Sequence, residues 1–230
     1  MIVLALSGYK RSGKDTVADH LISKDFIRVS FADPLKDMVA EHFGIRREWL
    51  DSSLKKEIAL FQYPAPSADK FTETISNFMS GEFRTIQGFH ADPKYLRSKD
   101  GVLQTFTTKW EDLCHTPRSL AILVGSSMRA GSTDFWVKKA IREIEKLHEK
   151  GYKKFVISDM RYKSECEQLV EAFGENLKTI RINRFDTSQS NDPSERDLDT
   201  YNFDFALENK GTKEELFDKL KSLLTELKAN

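Results

Sequence analysis

Cysteine is nearly missing from this chain of 230 residues, and so is any imbalance of charge: there are 2 Cys, and Lys+Arg and Asp+Glu each number 36. The two thiols, Cys114 and Cys166, stand far apart and lack metal-type spacing, so free buried thiols in a reducing compartment are expected rather than a disulfide framework or a zinc site. A protein that grips nucleic acid by its backbone carries a basic excess, and zero net charge weighs against that, leaving room for a local basic pocket. Long apolar runs are lacking too. Met1–Leu6 is halted by the polar and basic stretch Ser7–Lys14, too short for the core of a secretory leader, and Leu120–Val124 is far too short to span a bilayer. The histidines, His20, His42, His90, His115 and His148, show no ligand pairing, and no Ser-His-Asp or Cys-His order is present, so zinc chemistry and covalent catalysis are not suggested. There is no internal repeat and no low-complexity tract. A soluble cytoplasmic enzyme is the expectation.

What is present is enough apolar residue, 39%, to build a core, spread along the whole length. Ile2–Leu6 is a continuous apolar run, the signature of a strand buried on both faces. Val17, Ala18, Leu21 and Ile22 follow at helical spacing after Lys14. Further strands are predicted at Phe26–Phe31, Lys154–Ser158, Leu177–Asn183 and Asp204–Leu207. Helices are predicted after Asp33-Pro34, over Arg46–Phe61, from Thr116-Pro117 to Leu123, over Thr133–Lys150, over Ser164–Phe173, and after Thr212, which with Glu215 forms a capping box. Strand and helix alternate, so the fold class is α/β: a five-stranded, mostly parallel sheet with helices on both faces, in a single domain over 1–230. Residues 62–112 break the pattern with scattered aromatics and turn residues and read as an insertion; the polar stretch 184–201 reads as a loop able to act as a lid.

Gly8-Tyr9-Lys10-Arg11-Ser12-Gly13-Lys14-Asp15-Thr16 carries the most specific signal. It matches G-x-x-x-x-G-K between a predicted strand and a predicted helix, the context the motif needs. Gly8 and Gly13 let the backbone curl so that the N–H groups of Lys10, Arg11, Ser12 and Lys14 converge on phosphate oxygens, at a helix N-terminus. Lys14 brings an ammonium to the β- and γ-phosphates. The hydroxyl that usually follows the lysine is replaced by Asp15, with Thr16 next. Asp15 either ligates Mg²⁺ as a hard oxygen donor or meets the acceptor phosphate or its lysines. The plain alternative is a glycine turn that binds no nucleotide.

Other candidates sit where strands end, the edge at which open parallel sheets bind ligands. Asp159 follows the predicted strand Lys154–Ser158 as either a water-mediated Mg²⁺ ligand or a helix cap, and Arg161 as either a phosphate clamp or a surface arginine. Arg118 and Arg129 bracket one helix and are suited to neutralising phosphate in transfer between polyanions. Lys36 is placed to reach an acceptor phosphate, with Asp33 read first as a helix cap. Arg184 and Arg196 lie in the polar loop, and Asn209-Lys210-Gly211-Thr212 joins the last strand to the last helix, where it either passes near the adenine or is a plain capped turn.

Together these residues resemble the bacteriophage-type deoxynucleoside monophosphate kinases almost end to end. Leu6–Thr16 is similar to that family's phosphate loop, including the Asp-Thr after the lysine. Phe31–Lys36, Thr116-Pro117-Arg118 with Gly125 and Arg129, Phe135-Trp136-Val137, Ile157–Arg161 through Glu165, Ser194-Glu195 and Asn209–Thr212 resemble its later motifs. Ser127 and Asp192 depart from the family pattern, and 62–112 matches it poorly. The resemblance implies the P-loop nucleoside monophosphate kinase fold, ATP as donor and Mg²⁺ as cofactor. It implies a deoxynucleoside monophosphate acceptor, whose base pocket 62–112 should shape, and a phage enzyme in the host cytoplasm; with the charge balance and short apolar runs, no nucleic-acid or membrane partner is expected, and a homodimer is plausible. Lys14, Asp15, Arg118 and Arg129 are then catalytic. Arg184 and Asn209 join the loop in binding ATP. Lys36, Arg118, Arg129, Asp159 and Arg161 bind the acceptor, and Asp15, Thr16 and Asp159 serve the metal. The rivals are a P-loop kinase for another small metabolite, such as dephospho-coenzyme A or a sugar acid, a nucleic-acid-stimulated ATPase, and a binding module that turns nothing over.

Overall fold

The computed structural model describes residues 1–43, 45–52, 54–57, 116–131, 134–184 and 196–229. The expected insertion at 62–112, Cys114, Asp192 and residues 185–195 of the expected lid loop lie outside the described residues. Two compact units are formed, one by Met1–Ala32 with Trp136–Asn230 and one by Asp33–Phe135.

The first unit holds five strands: β1 (Ile2–Ser7), β2 (Ile27–Val29), β3 (Lys154–Ile157), β4 (Leu177–Asn183) and β5 (Phe205–Glu208). Their order is β2-β3-β1-β4-β5 and every pairing is parallel, with Leu4 beside Val156 on one side and Lys178 on the other. Its helices are α1 (Lys14–Ile22), then, with α2 to α4 assigned below, α5 (Phe135–Glu149), α6 (Lys163–Phe173) and α7 (Lys213–Ala229). The chain crosses from β1 to β2 through α1 in one direction along the sheet, and from β3 to β4 through α6 in the other. Crossovers of one hand therefore put α1 and α6 on opposite faces. The strands' alternation serves both faces. Leu4, Leu6, Val156, Ile180, Ile182 and Leu207 form one core with Val17, Ala18 and Leu21 of α1 and Leu216, Leu220 and Leu223 of α7. Burying side chains of this size contributes about 1.5–3 kcal/mol each, and that core holds α1, and with it the loop before α1, against the carboxyl edge of β1.

The second unit includes α2 (Ala32–Phe43, whose first residue belongs to the first unit), α3 (Arg47–Asp51), a short 3₁₀ turn at Lys55–Glu57 and α4 (Pro117–Gly131). The helix expected over Arg46–Phe61 is interrupted: α3 stops at Ser52, whose backbone is extended. The helix expected to end at Leu123 runs on to Gly131. The helix expected after Asp33 begins at Ala32, so Asp33 stands inside the first turn and other groups cap it. Among the described residues no helix is long and apolar enough to cross a membrane.

Candidate functional site

The carboxyl ends of β1, β3, β4 and β5 bring together the loop Gly8–Gly13, Ser158–Arg161, Arg184 and Asn209–Gly211. The loop is curled by left-handed backbone: Gly8 has φ 146°, Arg11 φ 66° and Gly13 φ 105°. Gly13 is the N-cap of α1, its carbonyl accepting from Val17 N–H at 3.0 Å. Ser12 N–H closes a turn onto Tyr9 O at 3.0 Å. The ammonium of Lys14 lies across this curl, donating to Gly8 O at 2.5 Å and Tyr9 O at 2.9 Å. A cation and a helix N-terminus thus face the same concavity. Ser12 Oγ is buried within the loop with no hydrogen-bond partner among the described residues, an uncommon state that calls for an acceptor or donor.

Neighbouring strands press on the loop so closely that its glycines are required. A Cβ on Gly8 would lie 2.4 Å from Ile182 O, and one on Gly13 would lie 2.5 Å from Asn209 Nδ2. Asn209 is buried and its amide donates to Ser12 O at 2.8 Å, while its own N–H donates to Asn183 O at 2.8 Å. The residue expected near the adenine therefore fastens the far end of the phosphate loop to the end of β5.

Asp15 begins α1 with its side chain 82% exposed, 3.6 Å from an Arg28 guanidinium nitrogen. Arg28 Nε donates to Ser158 Oγ at 2.9 Å. Thr16 is half-buried beside it. Asp159 accepts from Phe31 N–H at 3.0 Å through one oxygen, and from Ser30 Oγ at 2.7 Å and Ala32 N–H at 3.0 Å through the other. It supplies the α2 cap that the sequence suggested for Asp33. Arg161 is half-buried, its backbone N–H donating at 2.7 Å to Glu165, which also accepts from Tyr162 N–H at 3.0 Å. Arg184 is exposed just past β4. Lys10 and Arg11 are exposed on the loop.

Four residues that the motif reading passed over stand at this edge: Tyr9, Arg181 and Asp199, which bond to one another, and Arg28, beside Asp15 and Ser158. Arg181 is the traceable one, an arginine between Ile180 and Ile182 in a strand that is otherwise largely buried. It faces a cavity of ≈ 510 Å³ lined also by Tyr9, Asn183, Tyr201, Phe203 and Ala206. Burial, then the hydrogen bond to Asp199, raises the Tyr9 phenol above its ordinary value. Beneath the sheet, burial pushes the Cys166 thiol up to about 12, with nearby Glu165 adding to it and a Tyr201 hydrogen bond opposing.

In the second unit two of the expected acceptor cations, Lys36 and Arg118, are partnered by carboxylates. Lys36 donates to Asp51 at 3.0 Å and lies 3.8 Å from Asp33. Arg47 joins Asp33 at 2.8 Å, Asp37 at 2.6 Å, and Asp51. Burial favours a higher Asp51 pKa, but the hydrogen bonds from Arg47 and Lys36 outweigh it and leave the carboxyl below its usual range. Arg118 Nε is 2.6 Å from a Glu57 oxygen. Arg129 occupies the last turns of α4.

No protein-family model matches the chain. A curated relative, the deoxynucleotide monophosphate kinase of Enterobacteria phage T4, is 25% identical over 248 residues, spanning 97% of this chain and 99% of the relative. The family whose motifs the sequence resembles thus supplies a relative matched from end to end. The solved structure of TT1252 from Thermus thermophilus is 15% identical, with 98% of this chain and 97% of that chain covered and a TM-score of 0.44.

Proposed function

We propose that this protein is a phosphotransferase that moves the γ-phosphoryl group of ATP to a deoxynucleoside 5′-monophosphate, releasing a deoxynucleoside diphosphate and ADP. The observation that carries the donor half is the loop: left-handed Gly8 and Gly13 curl it at the N-terminus of α1, with the Lys14 ammonium across its mouth. Such a concavity presents amide N–H groups and a cation to a polyphosphate. The acceptor half is supported by the similarity to the phage kinase along nearly the whole of both chains.

The reaction needs little covalent help from the protein. A monophosphate acceptor is anionic near neutral pH and attacks in line, so positioning and charge neutralisation carry the rate. The loop amides, Lys14 and the unmet Ser12 hydroxyl hold the donor phosphates. Mg²⁺ is expected with ATP. The described residues include no group of three or more His, Cys, Asp or Glu able to cage a metal ion, and Asp15 offers one exposed carboxylate at the loop's end. That set fits an ion held by one or two protein oxygens and the nucleotide's own phosphates. Asp15 and Thr16 would hold it, with Asp159, already satisfied by three donors, reaching it through water. The ion supplies neutralisation of charge on the phosphate oxygens. The assignment of Lys36, Arg118, Arg129 and Arg161 to the acceptor's phosphate is drawn from the resemblance.

The test is ADP release by the purified protein with ATP and Mg²⁺ and, separately, dAMP, dGMP, dCMP and dTMP, with ribonucleotides and no acceptor as controls. Release with one or more deoxynucleotides supports the reading and identifies the base. Release with none of them, while another phosphorylated metabolite is turned over, replaces the acceptor. Release driven by DNA or RNA without a soluble acceptor replaces the function.

A further inference from the structure

Arg181 is only 11% exposed, although β4 could have filled its place with an apolar side chain at no desolvation penalty. An apolar side chain could not make the contacts that Arg181 makes. Nη1 donates to Ser7 Oγ at 3.2 Å and Nη2 to Asp199 Oδ1 at 2.8 Å. The guanidinium lies 4.9 Å from the centre of the Tyr9 ring and 5.6 Å from that of Phe203. The Tyr9 hydroxyl donates to the other oxygen of the same carboxylate, Asp199 Oδ2, at 2.7 Å. Ser7 and Tyr9 flank Gly8, so one guanidinium and one carboxylate bracket the glycine at which the loop leaves β1. Gly8 has no slack of its own against Ile182 O.

We propose that Arg181 and Asp199 are positioning residues for the phosphate loop, acting through Ser7 and Tyr9 to set the affinity for the nucleotide donor; this rests on the ATP-binding reading above. The loop's ligands are main-chain N–H groups, whose aim depends on the dihedrals from Gly8 to Gly13. Donors fixed in advance need no reorganisation when phosphate arrives, and each degree of freedom left at Gly8 is lost on binding. Arg181 suits the task because its planar fork holds two oxygens and lies against a ring at once, a geometry lysine cannot reproduce. Asn209 fastens the loop's far end in the same manner, through Ser12 O.

The experiment is a double-mutant cycle on the full chain, with the Kd of ATP·Mg²⁺ measured by calorimetry, beside KM, kcat and Tm. Asp199→Asn is expected to raise the Kd about tenfold and Tyr9→Phe about threefold, the scale of losing a charged and a neutral hydrogen bond. The double variant should bind no worse than Asp199→Asn, because the hydroxyl's partner is already altered. The loss should fall on KM for ATP more than on kcat, and Arg181→Lys should raise the Kd as well, because an ammonium cannot reproduce the planar fork. ATP binding like wild type in Tyr9→Phe and Asp199→Asn, or additive losses in the double variant, overturns the proposal. Should Asp199→Asn fold poorly, Tyr9→Phe, which keeps the ring, decides alone: an unchanged Kd overturns it and a raised one supports it. A wild-type protein that binds ATP but phosphorylates no deoxynucleotide removes the proposed acceptor and leaves this proposal standing. A wild-type protein that binds no ATP overturns both.

Discussion

The loop Gly8–Gly13 and the cation cluster of α2, α3 and α4 are built in opposite ways. In the loop it is the main chain that is shaped, by left-handed glycines and by side chains from β4 and the end of β5 that bond to Ser7 and to Ser12 O. In the cluster side chains meet side chains: Lys36 pairs with Asp51, Arg47 with Asp33, Asp37 and Asp51, and Arg118 with Glu57. A main-chain site depends on glycines at set spacing, because few other residues accept the backbone. A side-chain site can be built from any arginine that finds an oxygen. The first leaves a signature in one dimension and the second does not.

The largest effect expected is at Lys14, whose ammonium lies across the curl of the loop. Lys14→Ala should lower turnover by about a thousandfold, the scale of removing one preorganised charge from phosphoryl transfer, with Tm nearly unchanged. Near-normal turnover would break the loop side of the comparison. Next are the glycines. Gly8→Ala combines φ 146° with a Cβ 2.4 Å from the Ile182 carbonyl, a backbone atom that cannot step aside. A loss of about 2–4 kcal/mol is expected by chemical denaturation. Among the described residues, the Cβ of Gly125→Ala in α4 meets only the end of the Leu35 side chain, at 2.9 Å. Its helix gains about 0.5–1 kcal/mol from alanine, so stability should change little in either direction. Equal losses at Gly8 and Gly125 would erase the distinction between the regions.

The cluster predicts a dependence on pH. The Asp51 carboxyl sits below its ordinary 3.8 in the folded protein, so its ion pairs stabilise above the unfolded value and are lost as pH falls through the lower folded one. Asp51→Asn should therefore lower Tm by a few degrees at neutral pH, with the gap to wild type closing as the pH falls below the ordinary 3.8. The effect is modest because the Asp51 side chain is 50% exposed. A gap that persisted in acid would assign the loss to packing instead of charge. The smallest effect is at Cys166. With its thiol pushed up to about 12 and buried, it should resist alkylation in the native protein at about pH 8 and react only on unfolding. Mass spectrometry of the peptide containing Cys166 reads this directly.

Much of the architecture was legible in advance. The runs Ile2–Leu6 and Lys154–Ser158 became β1 and β3 within a residue at either end, since a strand buried on both faces reads as an apolar run, and the alternating stretch Leu177–Asn183 became β4. The amphipathic stretch before Gly151 became α5, and the Thr212 hydroxyl accepts from Glu215 N–H at 3.3 Å as the capping box requires. Less of the site was legible. Asp159 was read as metal ligand or cap; it holds the start of α2 from more than a hundred residues away, a partnership no local spacing encodes. The bond from the Asn209 amide to Ser12 O likewise joins two parts of the chain that no local spacing connects.

By itself the sequence determined the order of strands and helices along the chain and the place of the glycine loop between β1 and α1, because apolar periodicity and backbone sterics act over a few residues. Only the tertiary structure decided what holds that loop in shape. Arg181, Asp199 and Asn209 reach it from β4, the turn after 195 and the end of β5, and their meeting depends on parallel strands that bring distant parts of the chain to one edge. Hydrogen bonds and ion pairs of this kind are set by distances of about 3 Å in space, which separation along the chain does not constrain.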